Sequence, residues 1–184
     1  MDFELQTKNG ALFPKDSALR IAGVVEESAV DGPGLRFTVF TQGCPHACPG
    51  CHNPHTHPFD AGTLVSGDEL YRQIRENPLL SGVTFSGGEP FCQPLPLARL
   101  ARRLHKNTSL TIVTYTGYIF EELFESPDEN IRALLAETDV LIDGKFLLAL
   151  RDLTLRFRGS TNQRVIDVPK SLAAGAPVQL DWAK

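Results

Sequence analysis

Residues 43–54 read GCPHACPGCHNP, which puts Cys44, Cys48 and Cys51 on one short loop with C-x3-C-x2-C spacing and leaves Cys92, the fourth cysteine, far along the chain. Thiolates are ligands for zinc and for iron–sulfur clusters. Clustered cysteines in a chain that does not read as secreted are metal ligands or redox groups more often than disulfide staples. Three thiolates on a tight loop can grip three corners of a cubane cluster. With no fourth, one iron stays open to a substrate, by the logic of the open position on a catalytic zinc. Pro45, Pro49 and Pro54 stiffen the loop, and Gly50 lets it turn tightly before Cys51. Two other readings use the same residues: a zinc site completed by His46, His52, His55 or His57, and a chance grouping of thiols. Spacing alone does not separate iron from zinc. Cys92 is read as a small buried hydrophobe, since as a fourth ligand it would occupy the iron a substrate needs.

A second group of residues lies in TFSGGEP, where Gly87 and Gly88 end a strand and expose backbone N–H and C=O groups to close approach. Glu89 can accept hydrogen bonds from an ammonium group, so the turn suits an amino-acid-like ligand; alone it is equally an ordinary turn with a solvated glutamate. LIDGKF offers Asp143 and Lys145 at another strand end. Lys145 suits a carboxylate, and Asp143 suits ribose hydroxyls, a cation or Lys145 itself; a plain surface ion pair fits as well. RFRGSTNQR carries Arg156, Arg158 and Arg164, read either as a solvated face or as a cover over a polar ligand or partner.

These residues need a scaffold that brings them to one place. RIAGVVEES and LRFTVFTQG read as the first two strands, with the turn VDGPG between them. SGDELYRQIREN reads as a helix opened by Ser66 and Glu69 at capping-box spacing, with Leu70 and Ile74 on one face. GVTFS, SLTIVTYTG, DVLIDGKF and QRVIDV read as further strands. A helix over 95–105 has Leu97, Leu100 and Leu104 on one side, and two more helices flank Pro127. Strands alternating with helices predict an α/β fold with a mostly parallel sheet. TQGC, SGGEP, TYTGY and IDGK all fall at strand C-terminal ends, the edge where such folds build sites. The expected fold is an incomplete (β/α) barrel of about six mostly parallel strands with outer helices, one domain over 1–184, since a closed eight-fold barrel needs more strands.

Composition agrees with that scaffold. The chain has 184 residues, 42% hydrophobic and 22% charged, with a net charge of −4 and no long run of one sign. Neither nucleic acid nor a membrane is indicated as its partner. The start, MDFELQTKNGALFPKDSALR, lacks a basic region and an apolar core, so it does not read as a secretory signal, and a cytoplasmic protein is expected.

Taken together, VDGPGLRFTVFTQGCPHACPGCHNPHT and SGGEPF resemble the glycyl-radical-enzyme activases of the radical S-adenosylmethionine superfamily. TYTGYIFEEL, LIDGKF, LRFRGSTNQRVID and the short length are most similar to those that serve anaerobic ribonucleoside-triphosphate reductase, and the likeness runs from about Ile21 to Val168. The resemblance implies a [4Fe-4S] cluster on Cys44, Cys48 and Cys51, with S-adenosylmethionine on the fourth iron through its amino and carboxylate groups. It implies that Gly87, Gly88, Glu89 and Pro90 hold the methionine amino group. Gly50, Cys51 and His52 would lie beside the adenosyl moiety, and Asp143 and Lys145 would contact the ligand or a nearby cation. The implied reaction is reductive cleavage of S-adenosylmethionine and removal of a Cα hydrogen from one glycine of the reductase, with no catalytic side chain beyond the two cofactors. A flavodoxin or ferredoxin would supply the electron. Asp31, Gly32 and Arg36, in and just after the turn-rich SAVDGPG, are candidates for partner contact. Two departures stand out: Gly50 replaces the aromatic residue many members have there, leaving His52 to substitute, and Thr114 stands where longer activases place a cation-binding Asp. Pyruvate formate-lyase is the alternative partner, and a non-catalytic zinc or iron–sulfur module is the alternative of another class.

Overall fold

Apolar side chains recur at every second position in the strands: Phe37 and Val39, Val83 and Phe85, Ile112, Leu141 and Ile166 are all buried in one core. The structure, a computed structural model, describes residues 18–182. The reading of the N-terminus as unlike a secretory signal rests mostly on residues 1–17 and lies outside the described residues. Strands β1 (Ala18–Ser28), β2 (Arg36–Thr41), β3 (Thr63–Ser66), β4 (Gly82–Gly87), β5 (Thr111–Tyr115), β6 (Val140–Asp143) and β7 (Arg164–Asp167) form one sheet in the order β3-β1-β2-β4-β5-β6-β7. Helices α1 (Gly67–Glu76), α2 (Pro94–Asn107), α3 (Phe120–Phe124), α4 (Glu129–Ala136) and α5 (Val168–Ala174) complete it.

The α/β class holds, with two refinements. Parallel pairing is confined to the centre, where β2, β4, β5 and β6 run together. The flanks are antiparallel: β1 with β2 and β3, and β7 with β6. The chain between β1 and β2 is too short for a crossover, which a parallel return requires. The sheet is open, with β3 and β7 as its edges, so no barrel closes.

The helices pack on one face. Leu70 and Ile74 of α1, Leu97, Leu100 and Leu104 of α2, Phe120 and Leu123 of α3, and Leu134 of α4 join the strand residues above in the main core. Ser66 caps α1 by accepting a 3.1 Å hydrogen bond from Glu69 N. The reciprocal half of the expected capping box is replaced, because the Glu69 carboxylate accepts instead from Arg72 and Gln73. The opposite face carries a second, smaller cluster of Val113, Ile142 and Val165. Among the described residues no helix is long and apolar enough to cross a membrane.

Arg36, a candidate for partner contact in the sequence, is fully buried on this second face. Its guanidinium donates to Thr84 Oγ1 at 2.7 Å, Thr111 Oγ1 at 3.1 Å and the carbonyls of Pro33, Val83 and Thr111. Burial pulls its pKa down to about 10. The side chain therefore stitches β2 to β4 and β5 and is not at a surface, which corrects that expectation. Gly32 sits against it, since a Cβ there would lie 2.7 Å from Arg36 Cδ.

Candidate metal and cofactor centre

The four parallel strands all end at the same edge, and the loops that follow them meet there. A cavity of about 800 Å3 opens beside them, lined by Phe40 and Cys44 after β2, by Ser86, Gly87 and Gly88 of β4 and its exit, by Tyr115, Thr116 and Gly117 after β5, and by Gly144 and Phe146 after β6. Phe40, Ser86 and Tyr115 belong to the sheet face that the helices leave bare.

The cysteine loop is curled by three left-handed residues, Gly43, Ala47 and Gly50. Its first turn is pinned by hydrogen bonds from Gly43 N to Thr56 O at 2.8 Å and from Cys44 N to His57 O at 3.1 Å. Ala47, with φ of 47°, holds a conformation that costs a non-glycine residue energy and tends to persist at functional loops. Cys44, Cys48 and Cys51 all line the cavity, are partly exposed, and form no disulfide. Burial pushes the Cys44 thiol up to about 12, against the pull of the His46 and Ala47 backbone N–H groups. Burial raises Cys48 too, while the Phe146 backbone and the charge of Lys145 pull it down.

These thiols fit a cluster. Among the described residues no group of three or more His, Cys, Asp or Glu side chains is gathered around a single point. A cubane binds each thiolate on a separate iron and needs no such common point. His46 lines the cavity with its Nε2 bonded to Glu89, and the His52 ring lies 5.1 Å from that of Phe146. Cys92 sits on the short helix Pro90–Cys92 outside the cavity lining, and burial raises its thiol well above the ordinary value.

Across from the thiols, Gly87 and Gly88 present bare backbone. A Cβ on Gly87 would lie 2.7 Å from Phe40 Cα, and one on Gly88 would lie 2.5 Å from Gly43 O, so neither position admits a side chain. Pro90 is buried behind them. Glu89 is fully buried, and its carboxylate is already saturated. Oε1 accepts from Phe91 N at 3.0 Å and Thr116 Oγ1 at 2.9 Å; Oε2 accepts from Gly117 N at 2.9 Å and His46 Nε2 at 2.8 Å. Four donors fill the capacity of a carboxylate. The expectation that this side chain receives an ammonium group gives way to a structural role, and the backbone of the turn is what faces the cavity.

The other sequence candidates divide by strand parity. Asp143 follows Leu141 on the helix side, where it accepts from Phe120 N at 2.8 Å and pairs with Arg164, whose Nε lies 3.0 Å from Oδ1. It is fully buried, so neither Lys145 nor a ribose is its partner here. Arg164 also grips Glu121 at 2.7 and 3.0 Å, which raises the arginine further and holds Glu121 below the usual carboxylate range. Thr114 likewise faces the helices, bonded to Thr138 Oγ1 at 2.9 Å, so it borders no site. Lys145 is exposed beyond β6, near enough to Cys48 to affect its thiol. Gly50 is exposed, with Leu148 and Phe146 over the space a side chain would fill, and His52 lines the cavity. Arg156 and Arg158 line it as well; Arg156 lies 5.5 Å from the Phe157 ring centre and Arg158 donates to Gln163 O. Asp31 borders the cavity and accepts from Ser28 and Thr38.

Sequence reasoning did not find the donors on Glu89 or Leu153, 80% exposed at the mouth, whereas Val30, 75% exposed there, lies in the turn-rich SAVDGPG segment already named for partner contact. TYTGY had marked the strand end that supplies Thr116 and Gly117, but nothing in it indicated their acceptor.

Comparison with known proteins agrees with this geometry. A family model described as a 4Fe-4S single cluster domain matches residues 30–166. The anaerobic ribonucleoside-triphosphate reductase-activating protein of Haemophilus influenzae is 37% identical over 142 residues, covering 73% of this chain and 88% of that protein. Its counterpart in Escherichia coli is 34% identical over 143 residues, covering 74% and 90%. The pyruvate formate-lyase-activating enzyme of Clostridium pasteurianum is 34% identical over 117 residues, covering 59% of this chain but 49% of that enzyme.

Proposed function

This chain belongs to the family of anaerobic ribonucleoside-triphosphate reductase-activating proteins, and from that premise we propose that it is a radical S-adenosylmethionine activase acting on a glycine of that reductase. The single observation behind this reading is the placement of three partly exposed thiols and a side-chain-free glycine turn around one cavity. When bound, a [4Fe-4S] cluster and S-adenosylmethionine supply one-electron reductive cleavage and the radical that takes the glycine hydrogen.

The chain's own part is to bind, orient and exclude water. Cys44, Cys48 and Cys51 hold the cluster, and the backbone of Gly87 and Gly88 receives the amino-acid end of the ligand. His52, beside Gly50, and Lys145 remain from the expected contact set, and Arg156 and Arg158 also line the cavity within reach of the rest of the ligand. Asp143 and Arg36 drop out of the contact set, because both are consumed in the scaffold. Phe40, Tyr115 and Phe157 give the cavity an apolar wall that keeps water from a reactive intermediate. Tyr115 is itself fixed by donating to Phe157 O at 2.7 Å.

The partner's glycine must stand beside the reacting carbon before cleavage. Val30 and Leu153, with Asp31 beside Val30, form the rim at which a polypeptide would enter. An incomplete barrel with the helix-free sheet face inside, a single domain, a cytoplasmic location and a flavodoxin or ferredoxin as donor complete the proposal. Pyruvate formate-lyase is the second reading, carried by the similarity to its activating enzyme, and it is weaker because that match spans only half of the relative.

Anaerobic reconstitution with iron and sulfide tests the cofactor half of this reading. The expected product is brown, with broad absorption near roughly 400 nm, and cleaves S-adenosylmethionine when reduced. A colourless product that retains zinc would refute it.

A further inference from the structure

His46 lies in sequence between two of the cluster thiols and lines the same cavity, yet its ring nitrogen is committed to a protein partner. Its side chain is 6% exposed and its Nε2 donates to Glu89 Oε2 at 2.8 Å. Glu89 in turn donates its backbone N–H to Gly43 O at 2.8 Å. One residue of the glycine turn thus holds the cysteine loop at positions 43 and 46, on either side of Cys44. The third strap comes from the β5 exit, where Thr116 Oγ1 and Gly117 N complete the carboxylate.

The surroundings are shaped for this ring. A Cβ on Gly117 would lie 2.3 Å from His46 Cδ2 and 2.6 Å from Nε2, so only glycine leaves room. Tyr118 meets the ring edge-on, with centroids 4.5 Å apart. An ionised carboxylate only accepts, so the hydrogen on Nε2 is fixed by its partner.

Resting on the functional reading above, we propose that His46 is a positioning residue: through Glu89 it sets the separation between the thiol-bearing loop and the Gly87–Gly88 backbone, so that ligand and cluster meet in one geometry. Metal sites depend in this way on groups that orient the ligands without touching the metal. The tie does not bind iron. Its loss therefore weakens the ligand's grip on the cluster more than it weakens cluster assembly.

Three variants test this by titrating S-adenosylmethionine into the reduced, reconstituted protein and following the cluster's paramagnetic resonance signal. His46→Gln places an amide nitrogen three bonds beyond Cβ, as far out as the ring Nε2. His46→Asn places it only two bonds out, and His46→Leu fills space without a donor. Iron content should match wild type in all three. The Gln variant should titrate like wild type, while Asn and Leu variants need roughly tenfold more ligand for the same spectral change. Wild-type titration by the Asn variant would overturn the proposal, as would equal weakening of the Gln and Asn variants. Should the Leu variant fail to fold, the Gln–Asn comparison still decides. A wild-type protein that binds no iron, or whose signal ignores the ligand, would refute the functional reading instead.

Discussion

Cys48 and Cys92 are both thiols raised by burial, yet they differ in what they face. Cys48 lines the cavity and Cys92 does not. Cys48→Ala should abolish cluster assembly, and Cys92→Ala should leave iron and sulfide content unchanged; iron analysis after anaerobic reconstitution checks both. Loss of iron in Cys92→Ala would mean a fourth ligand. The thiol trio was legible because its spacing is local. Glu89, Arg36 and Asp143 were misread, because a polar residue near a strand end looks the same in sequence whether it faces ligand or scaffold. What decides is which donors lie opposite. For Glu89 these are His46 and Thr116, 43 and 27 residues away.

At the scale of elements, strand parity sorts the site. Tyr115 points to the cavity while Thr114 and Asp143 point to the helices, so the residues at one strand end are not all available to a ligand. Asp143, Arg164 and Glu121 brace β6, β7 and α3. The Glu121 carboxyl is held below its ordinary value, first by its hydrogen bond to Arg164. Its contribution to stability is therefore complete above the ordinary carboxylate range, near pH 4.5, and is lost as pH falls through the depressed value. Glu121 is 43% exposed, so Glu121→Gln should cost under about 1 kcal/mol at pH 7, and in urea melts the cost should shrink as pH is lowered below the ordinary carboxylate range. Arg164→Met should cost more, about 3 kcal/mol, because it leaves Asp143 buried without its cation. Most elements followed from periodicity, but β3 and α5 did not. β3 is a four-residue edge strand, mostly exposed and without apolar alternation. α5 begins at Val168, the last residue of the run QRVIDV that reads as a strand, although Asp167, Pro169 and Gly175 carry the start and stop signals.

The whole molecule places the cysteine-lined cavity on the helix-free face of an open sheet and leaves its mouth edged by exposed apolar side chains. That arrangement suits a polypeptide substrate, which must be held at the rim while one residue reaches inward. Leu153→Glu should raise the apparent KM for the reductase about tenfold while leaving partner-free cleavage of S-adenosylmethionine unchanged; steady-state assays with and without the reductase separate the two effects. The α/β class and the active edge were readable from the order of strands, helices and polar turns. The antiparallel flanks were not, because pairing direction depends on where the chain returns in space. The most direct test mixes the reconstituted, reduced protein and S-adenosylmethionine with the reductase and, separately, with pyruvate formate-lyase, and records paramagnetic resonance spectra. A glycyl radical on the reductase is the predicted result; a radical confined to pyruvate formate-lyase, or none on either, would contradict the assignment.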